Sequence, residues 1–223
     1  MVPTALPMLS KKKYAFDRVK TMNTSFRKKN LLFVTYNLSG DGGSEKVLVT
    51  LLNNLNKDKY NISLFLMQSA EDKMEHFLHD KINVIYSYPI ASYKQWKIIR
   101  YIRKLLPLAR NHDVIIGAKD GISTYIACLC GKLTRKPVIG WSHGIMNQWF
   151  TKMSKKIIVN LFNPFLAKIV CVSNASAESM QEFLFVKKDK IEVIYNPMIV
   201  KLLRLTHSKN CQVNIENCFI CQR

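Results

Sequence analysis

Apolar residues in this chain gather in short runs separated by longer stretches of helical period. The runs at 31–36 (LLFVTY), 62–67 (ISLFLM), 82–86, 113–117 (DVIIG), 137–141 (PVIGW), 168–172 (KIVCV) and 191–195 have strand length. They are rich in Val and Ile and scarcely alternate with polar residues, which predicts strands buried on both faces. Between them, stretches at 43–55, 71–80, 94–106, 121–134, 149–162 and 174–185 predict helices. In the first, Val47, Leu48, Leu51, Leu52 and Leu55 recur at helical spacing and form one apolar stripe. Strands alternating with helices predict an α/β fold, a Rossmann-like doubly wound parallel sheet. In such sheets ligands bind beyond the carboxyl ends of the strands, so function is sought in the loops that follow them.

The loop after the first predicted strand, Asn37 to Glu45 (NLSGDGGSE), is rich in glycine and leads straight into a helix. Glycines permit positive φ and let another molecule approach the backbone. Free amides at a helix start attract an anion such as phosphate. Asp41 opposes that reading unless it points away, and the pattern is not the GxGxxG of hydride-transferring dinucleotide folds. By physics alone, a ligand site and a plain glycine-rich helix cap are equally supported. A second motif, Trp141-Ser142-His143-Gly144, ends the fifth predicted strand. A lone His is more often structural than catalytic, but a place at a strand's carboxyl end favours a role in hydrogen bonding to a ligand near neutral pH. A third stretch, residues 167–200, contains Val172-Ser173, a helix from Asn174, the basic pair Lys187-Lys188, and Tyr195-Asn196-Pro197. Ser173 or Asn174 is a natural helix N-cap. Pro197 ends its strand with a fixed φ.

Taken in order, these three stretches resemble the amino-terminal half of family 4 glycosyltransferases, which have the GT-B fold. Gly42-Gly43-Ser44-Glu45-Lys46-Val47 is similar to the family's first turn. The resemblance covers about residues 31–200 and implies that the Gly42–Gly43 backbone lies in an interdomain cleft near the donor diphosphate and the acceptor. It implies that His143 contacts the transferred sugar and that Ser173 lines the same cleft. Asn196-Pro197 then forms the hinge to a second domain. The implied reaction moves a sugar from a nucleotide-sugar to a glycan, polysaccharide or lipid-linked acceptor, with retention at the anomeric carbon. The nucleotide-sugar is a substrate, and neither a cofactor nor a metal is implied.

In that family the donor is held by the carboxy-terminal half, through a basic pair and two glutamates. Residues 198–223 contain Lys201, Arg204, Lys209 and one acid, Glu216. The expectation is therefore an acceptor-side domain at 31–197, flanked by a basic, disordered extension at 1–30 and an atypical tail at 198–223. Met22 is a candidate alternative start. A shifted or prematurely ended reading frame is the expected source of the tail's composition. The chain alone is expected to be inactive, because electrostatic stabilisation of the leaving diphosphate is the largest catalytic contribution. The tail's His207, Cys211, Cys218 and Cys221 offer four soft ligands, but the spacing is short for a standard zinc knuckle.

Charge narrows the partners. Lys and Arg number 34 against 15 Asp and Glu, a net charge of +19. Such a surface favours a polyanion or an anionic membrane. Basic apolar stretches at 94–110 and 146–162 match helices that lie on anionic lipid; packing of their apolar faces on the sheet is the alternative. Nucleic acid is disfavoured, since aromatics fall in predicted strands and apolar helix faces and no nucleic-acid motif is present. A non-catalytic module docking on a separate donor-domain chain is the third class. No apolar run reaches the ~20 residues of a membrane span. In residues 1–30 the apolar part precedes the basic cluster Lys11-Lys12-Lys13, the reverse of a secretory signal. A cytoplasmic protein, peripheral at the inner membrane face, is expected. Cys128, Cys130 and Cys171 sit in apolar stretches and are expected to be small buried hydrophobes rather than disulfide partners.

Overall fold

The computed structural model describes residues 27–40, 42–68, 74–87, 97–146 and 153–196. Most of the 1–30 extension, Asp41, the proposed hinge residue Pro197 and the whole cysteine-containing tail lie outside these residues.

Seven parallel strands form one sheet: β1 (Lys29–Thr35), β2 (Tyr60–Leu66), β3 (Ile82–Tyr86), β4 (Val114–Gly117), β5 (Val138–Ser142), β6 (Lys168–Cys171) and β7 (Ile191–Val193). Their order is β3-β2-β1-β4-β5-β6-β7. The seven predicted strands are all present, with shifted ends. Five α-helices accompany them among the described residues: α1 (Gly43–Asn54), α2 (Lys97–Asn111), α3 (Ile122–Thr134), α4 (Met153–Phe162) and α5 (Asn174–Leu184).

The unalternated strands follow from burial on both faces. In β1, Leu31 and Phe33 face a core shared with Leu48, Leu51 and Leu52 of α1. Leu32 and Val34 face the opposite core, with Tyr101 and Leu105 of α2, Ile126 and Cys128 of α3, and Met180 and Leu184 of α5. Cys128, Cys130 and Cys171 are free and buried, as expected. Burial pushes their thiols up to about 12, 11 and 11, so they stay neutral and inert.

Two predicted helices need correction. The helix expected at 71–80 is a single 3-10 turn, Met74–Phe77, among the described residues. Its apolar residues, Met74 and Leu78, pack on the α1-side core. Polar Glu75, His76 and His79 interrupt any longer stripe. The helix expected to stop before Pro107 runs on to Asn111. Pro107 removes one N–H, but it lies on the exposed side, where water serves the freed carbonyl. The following turn buries Ala109 completely, and that packing holds the helix together.

This topology creates one switch point. From β1 the chain turns through α1 towards β2, and from β4 it turns through α3 towards β5. The two strands are adjacent, with Val34 in register with Gly117. Their outgoing loops diverge and open a crevice at the carboxyl edge.

A candidate active-site crevice at the switch point

The first wall is the β1–α1 turn. Gly40 has φ +92, the left-handed region that favours glycine. Gly42 is the N-cap of α1 with φ −107, and no side chain caps the helix. Neither Gly42 nor Gly43 has positive φ. A Cβ on Gly43 would meet nothing within 4 Å, and one on Gly42 would meet only ordinary contacts at 3.6 Å or more. The backbone strain anticipated for this turn thus falls on Gly40. Gly42 and Gly43 are bare where the fold has room for side chains, as backbone meant to be approached would be.

Glu45, in the first turn of α1, organises this wall. Its side chain is 3% exposed. It accepts from the Gly40 N–H at 2.7 Å and from the Ser39 hydroxyl at 3.2 Å. Lys119, just beyond β4, donates to Glu45 Oε1 at 3.2 Å. The buried carboxylate therefore ties the two diverging loops together. Lys119 keeps 38% of its side chain exposed at the mouth of the crevice.

The second wall is the β4–α3 turn with the end of β5. The Lys119 carbonyl accepts from the Ser123 and Thr124 hydroxyls, which fixes the start of α3. Gly117 is required by close packing: a Cβ there would lie 2.8 Å from the Thr124 Cα. Asp120 is half-buried as a residue, but its carboxyl group is enclosed, and burial pushes its pKa up to about 6. The His143 N–H, at 2.9 Å, and the more distant Ser142 hydroxyl, at 3.4 Å, donate to Asp120 Oδ2 and hold that rise in check.

His143 follows β5, its backbone N–H on this carboxylate. Its ring lies on Trp141, with centroids 4.6 Å apart. Burial drives its pKa down to about 4, and the nearby Lys119 charge adds to the fall. The imidazole is therefore neutral near pH 7. Nε2 lies 3.2 Å from the Ala118 carbonyl, which can only accept, so Nε2 carries the proton. Nδ1 is then a buried acceptor with no partner among the described residues. A neutral ring with one oriented lone pair can accept a hydrogen bond from a hydroxyl but holds no spare proton for acid catalysis.

The predicted site residues divide in two. Gly42, Gly43 and His143 stand on the loops bordering the switch point. Ser173 is placed elsewhere in role: it is the N-cap of α5, its hydroxyl accepting from the Ser176 N–H at 3.1 Å. Asn196 follows β7 with its Oδ1 buried and without a partner among the described residues. Sequence reasoning missed Lys119, Asp120 and the role of Glu45. Lys119 and Asp120 immediately follow a predicted strand end and precede Gly121, and that position was their only signal.

Comparison with known proteins gives a consistent result. No curated protein sequence matches the chain. Among solved structures, Anabaena Alr3699/HepE in complex with UDP and glucose is 20% identical with TM-score 0.61, over 76% of this chain and 45% of that one. The lipopolysaccharide outer core galactosyltransferase WaaB is 20% identical with TM-score 0.59, over 78% of this chain and 47% of that one. UDP-GlcNAc 2-epimerase from Neisseria meningitidis, bound to UDP-GlcNAc, is 14% identical with TM-score 0.56, over 75% and 46%. The chain thus spans less than half the length of these proteins, and the likeness establishes a fold that glycosyltransferases and epimerases share. The sequence profile of Glycosyltransferase Family 4 separates the two, matching residues 41–201. This chain belongs to Glycosyltransferase Family 4.

Proposed function

We propose that residues 29–196 form the acceptor-side half of a retaining GT-B glycosyltransferase. Its reaction moves a sugar from a nucleotide-sugar to a glycan, polysaccharide or lipid-linked acceptor. The carrying observation is the switch-point crevice, where the bare Gly42–Gly43 backbone and the neutral His143 both border the carboxyl edge. HepE and WaaB, similar in fold, are respectively a protein seen with UDP and glucose and a galactosyltransferase.

In this reading the Nδ1 lone pair of His143 accepts a hydrogen bond from a sugar hydroxyl, and Asp120 fixes the turn that presents the ring. The Gly42–Gly43 amides lie between the acceptor and the donor's sugar-phosphate. Lys119 supplies a cation at the mouth, largely offset by Glu45, so the crevice alone offers little charge to stabilise a leaving diphosphate. A second domain has to supply that charge, and the 223-residue chain by itself is proposed to turn over no donor. Loose attachment to an anionic membrane at the cytoplasmic face accompanies this reading, supported by the net charge of +19. No helix among the described residues is long and apolar enough to cross a membrane.

The test is to offer the chain a panel of UDP- and GDP-sugars with saccharide acceptors. Saccharide binding without donor turnover is expected. Turnover by the chain alone, or tight binding of free UDP without saccharide binding, would overturn the assignment of roles to the two halves.

A further inference from the structure

The following rests on the membrane reading above and fixes where the lipid surface meets the protein. We propose that α2 is the docking face and that it takes an anionic bilayer. The helix buries Tyr101, Leu105 and Ala109 against the sheet. Its remaining positions show an uncommon combination. Ile98 and Ile99 stand 43% and 57% exposed in the first turn. Arg100, Arg103, Lys104 and Arg110 are exposed along the rest of the helix, and the helix contains no acid. The adjacent α3 contains no acid either. Exposed apolar residues at one end of an all-cationic helix suit the boundary between lipid headgroups and acyl chains.

The fold sets this face beside the crevice. In a parallel sheet each connecting helix runs back against the strands, so α2 starts at their carboxyl edge. The Lys104 ammonium donates to the carbonyl of Ser87, immediately past the end of β3. The isoleucine pair, more than one turn earlier, is therefore at the edge where the Gly42–Gly43 turn opens. A lipid-anchored acceptor would enter the crevice from the surface on which α2 rests.

A second apolar patch competes for this role. Ile157, Ile158 and Leu161 of α4, with Phe185, are also exposed. Its lysines are offset or engaged, however. Glu178, Glu182 and Asp189 are exposed beside Lys156, Lys187, Lys188 and Lys190. Lys156 lies 4.3 Å from the Phe183 ring and 5.0 Å from the Phe185 ring. Lys190 reaches the carbonyls of Asn163, Pro164 and Leu166. Phe185 follows the carboxyl end of α5, at the opposite edge from the crevice. Charge and position both favour α2.

The experiment is co-sedimentation of the full chain with vesicles of phosphatidylcholine alone or with about 30% phosphatidylglycerol, at low and high salt. Three double variants are compared: Arg100→Ser with Arg103→Ser, Ile98→Ser with Ile99→Ser, and Ile157→Ser with Leu161→Ser. All six side chains are exposed, and thermal melts confirm that each variant is folded. Wild type should bind only the anionic vesicles and be released by salt. The arginine variant should bind roughly 30-fold more weakly, the Ile98/Ile99 variant should also lose binding, and the α4 variant should match wild type. Loss confined to the α4 variant would overturn the assignment to α2 while keeping the membrane reading. Absence of wild-type binding to any vesicle would remove the membrane reading itself. Binding indifferent to salt and phosphatidylglycerol would overturn the electrostatic mechanism.

Discussion

Asp120 and His143 are displaced in opposite directions, and this makes a quantitative prediction about stability against pH. Asp120 rises from 3.8 to about 6 in the folded protein, and His143 falls from 6.5 to about 4. Between about pH 4 and pH 6 the folded state holds the Asp120 proton and lacks the His143 proton; the unfolded chain does the reverse. Stability rises with pH wherever the unfolded state binds more protons. His143 alone therefore makes stability rise from about pH 4 to 6.5, and Asp120 alone makes it fall from about pH 4 to 6. Each displacement is about 3 kcal/mol at ~1.36 kcal/mol per pH unit, and in the wild type the two largely cancel. Removing one partner exposes the other. Asp120→Asn should gain stability, relative to wild type, by about 2 kcal/mol as pH rises from 4.5 to 7, since part of the full displacement falls below that interval. His143→Gln should lose a similar amount over the same interval. Urea unfolding followed by tryptophan fluorescence gives both differences, and the remaining titrating groups cancel in the comparison. Two variant curves parallel to wild type within about 0.5 kcal/mol would refute the burial and protonation states assigned to this pair.

Three further outcomes follow from the same geometry. Gly43→Ala should leave urea stability unchanged or raise it by up to ~1 kcal/mol, because space exists for its Cβ, and Gly42→Ala, at the N-cap of α1, should cost about 0.5 kcal/mol, yet both should weaken saccharide binding measured by calorimetry. Lys119→Met should cost about 1–3 kcal/mol in urea unfolding, since it strips the buried Glu45 carboxylate of its cation; a neutral result would mean that Ser39 and Gly40 satisfy that carboxylate alone. Ser173→Ala should cost about 1 kcal/mol with saccharide affinity unchanged, whereas an affinity loss without a stability loss would return Ser173 to the binding site.

The strands were legible because burial on both faces leaves continuous apolar runs that only a covered parallel sheet can use. Helix α1 and the turn before it were legible for the same reason: leucine periodicity and glycine spacing are local properties. What escaped was non-local. Glu45 looks like a first-turn acid on a helix, and only the fold reveals that Lys119 reaches it from another strand. Asp120 and His143 are joined by a single backbone hydrogen bond between loops that the sequence separates, and no periodicity encodes it. The helix through Pro107 shows the same limit, since burial of Ala109 outweighs a local breaker. Ser173 illustrates the converse, where the local N-cap expectation is met just beyond the carboxyl end of β6.

The central claim is that the crevice between the β1–α1 and β4–α3 turns receives the acceptor sugar. The most direct measurement is an amide and imidazole NMR titration of the chain with a panel of saccharides. The account predicts shifts concentrated at 38–45, 118–121 and 142–146, with the His143 Nδ1 resonance moving as it gains a hydroxyl donor while Nε2 keeps its proton. Shifts clustered at the amino ends of the strands or on α4 and α5, with His143 unmoved, would contradict it.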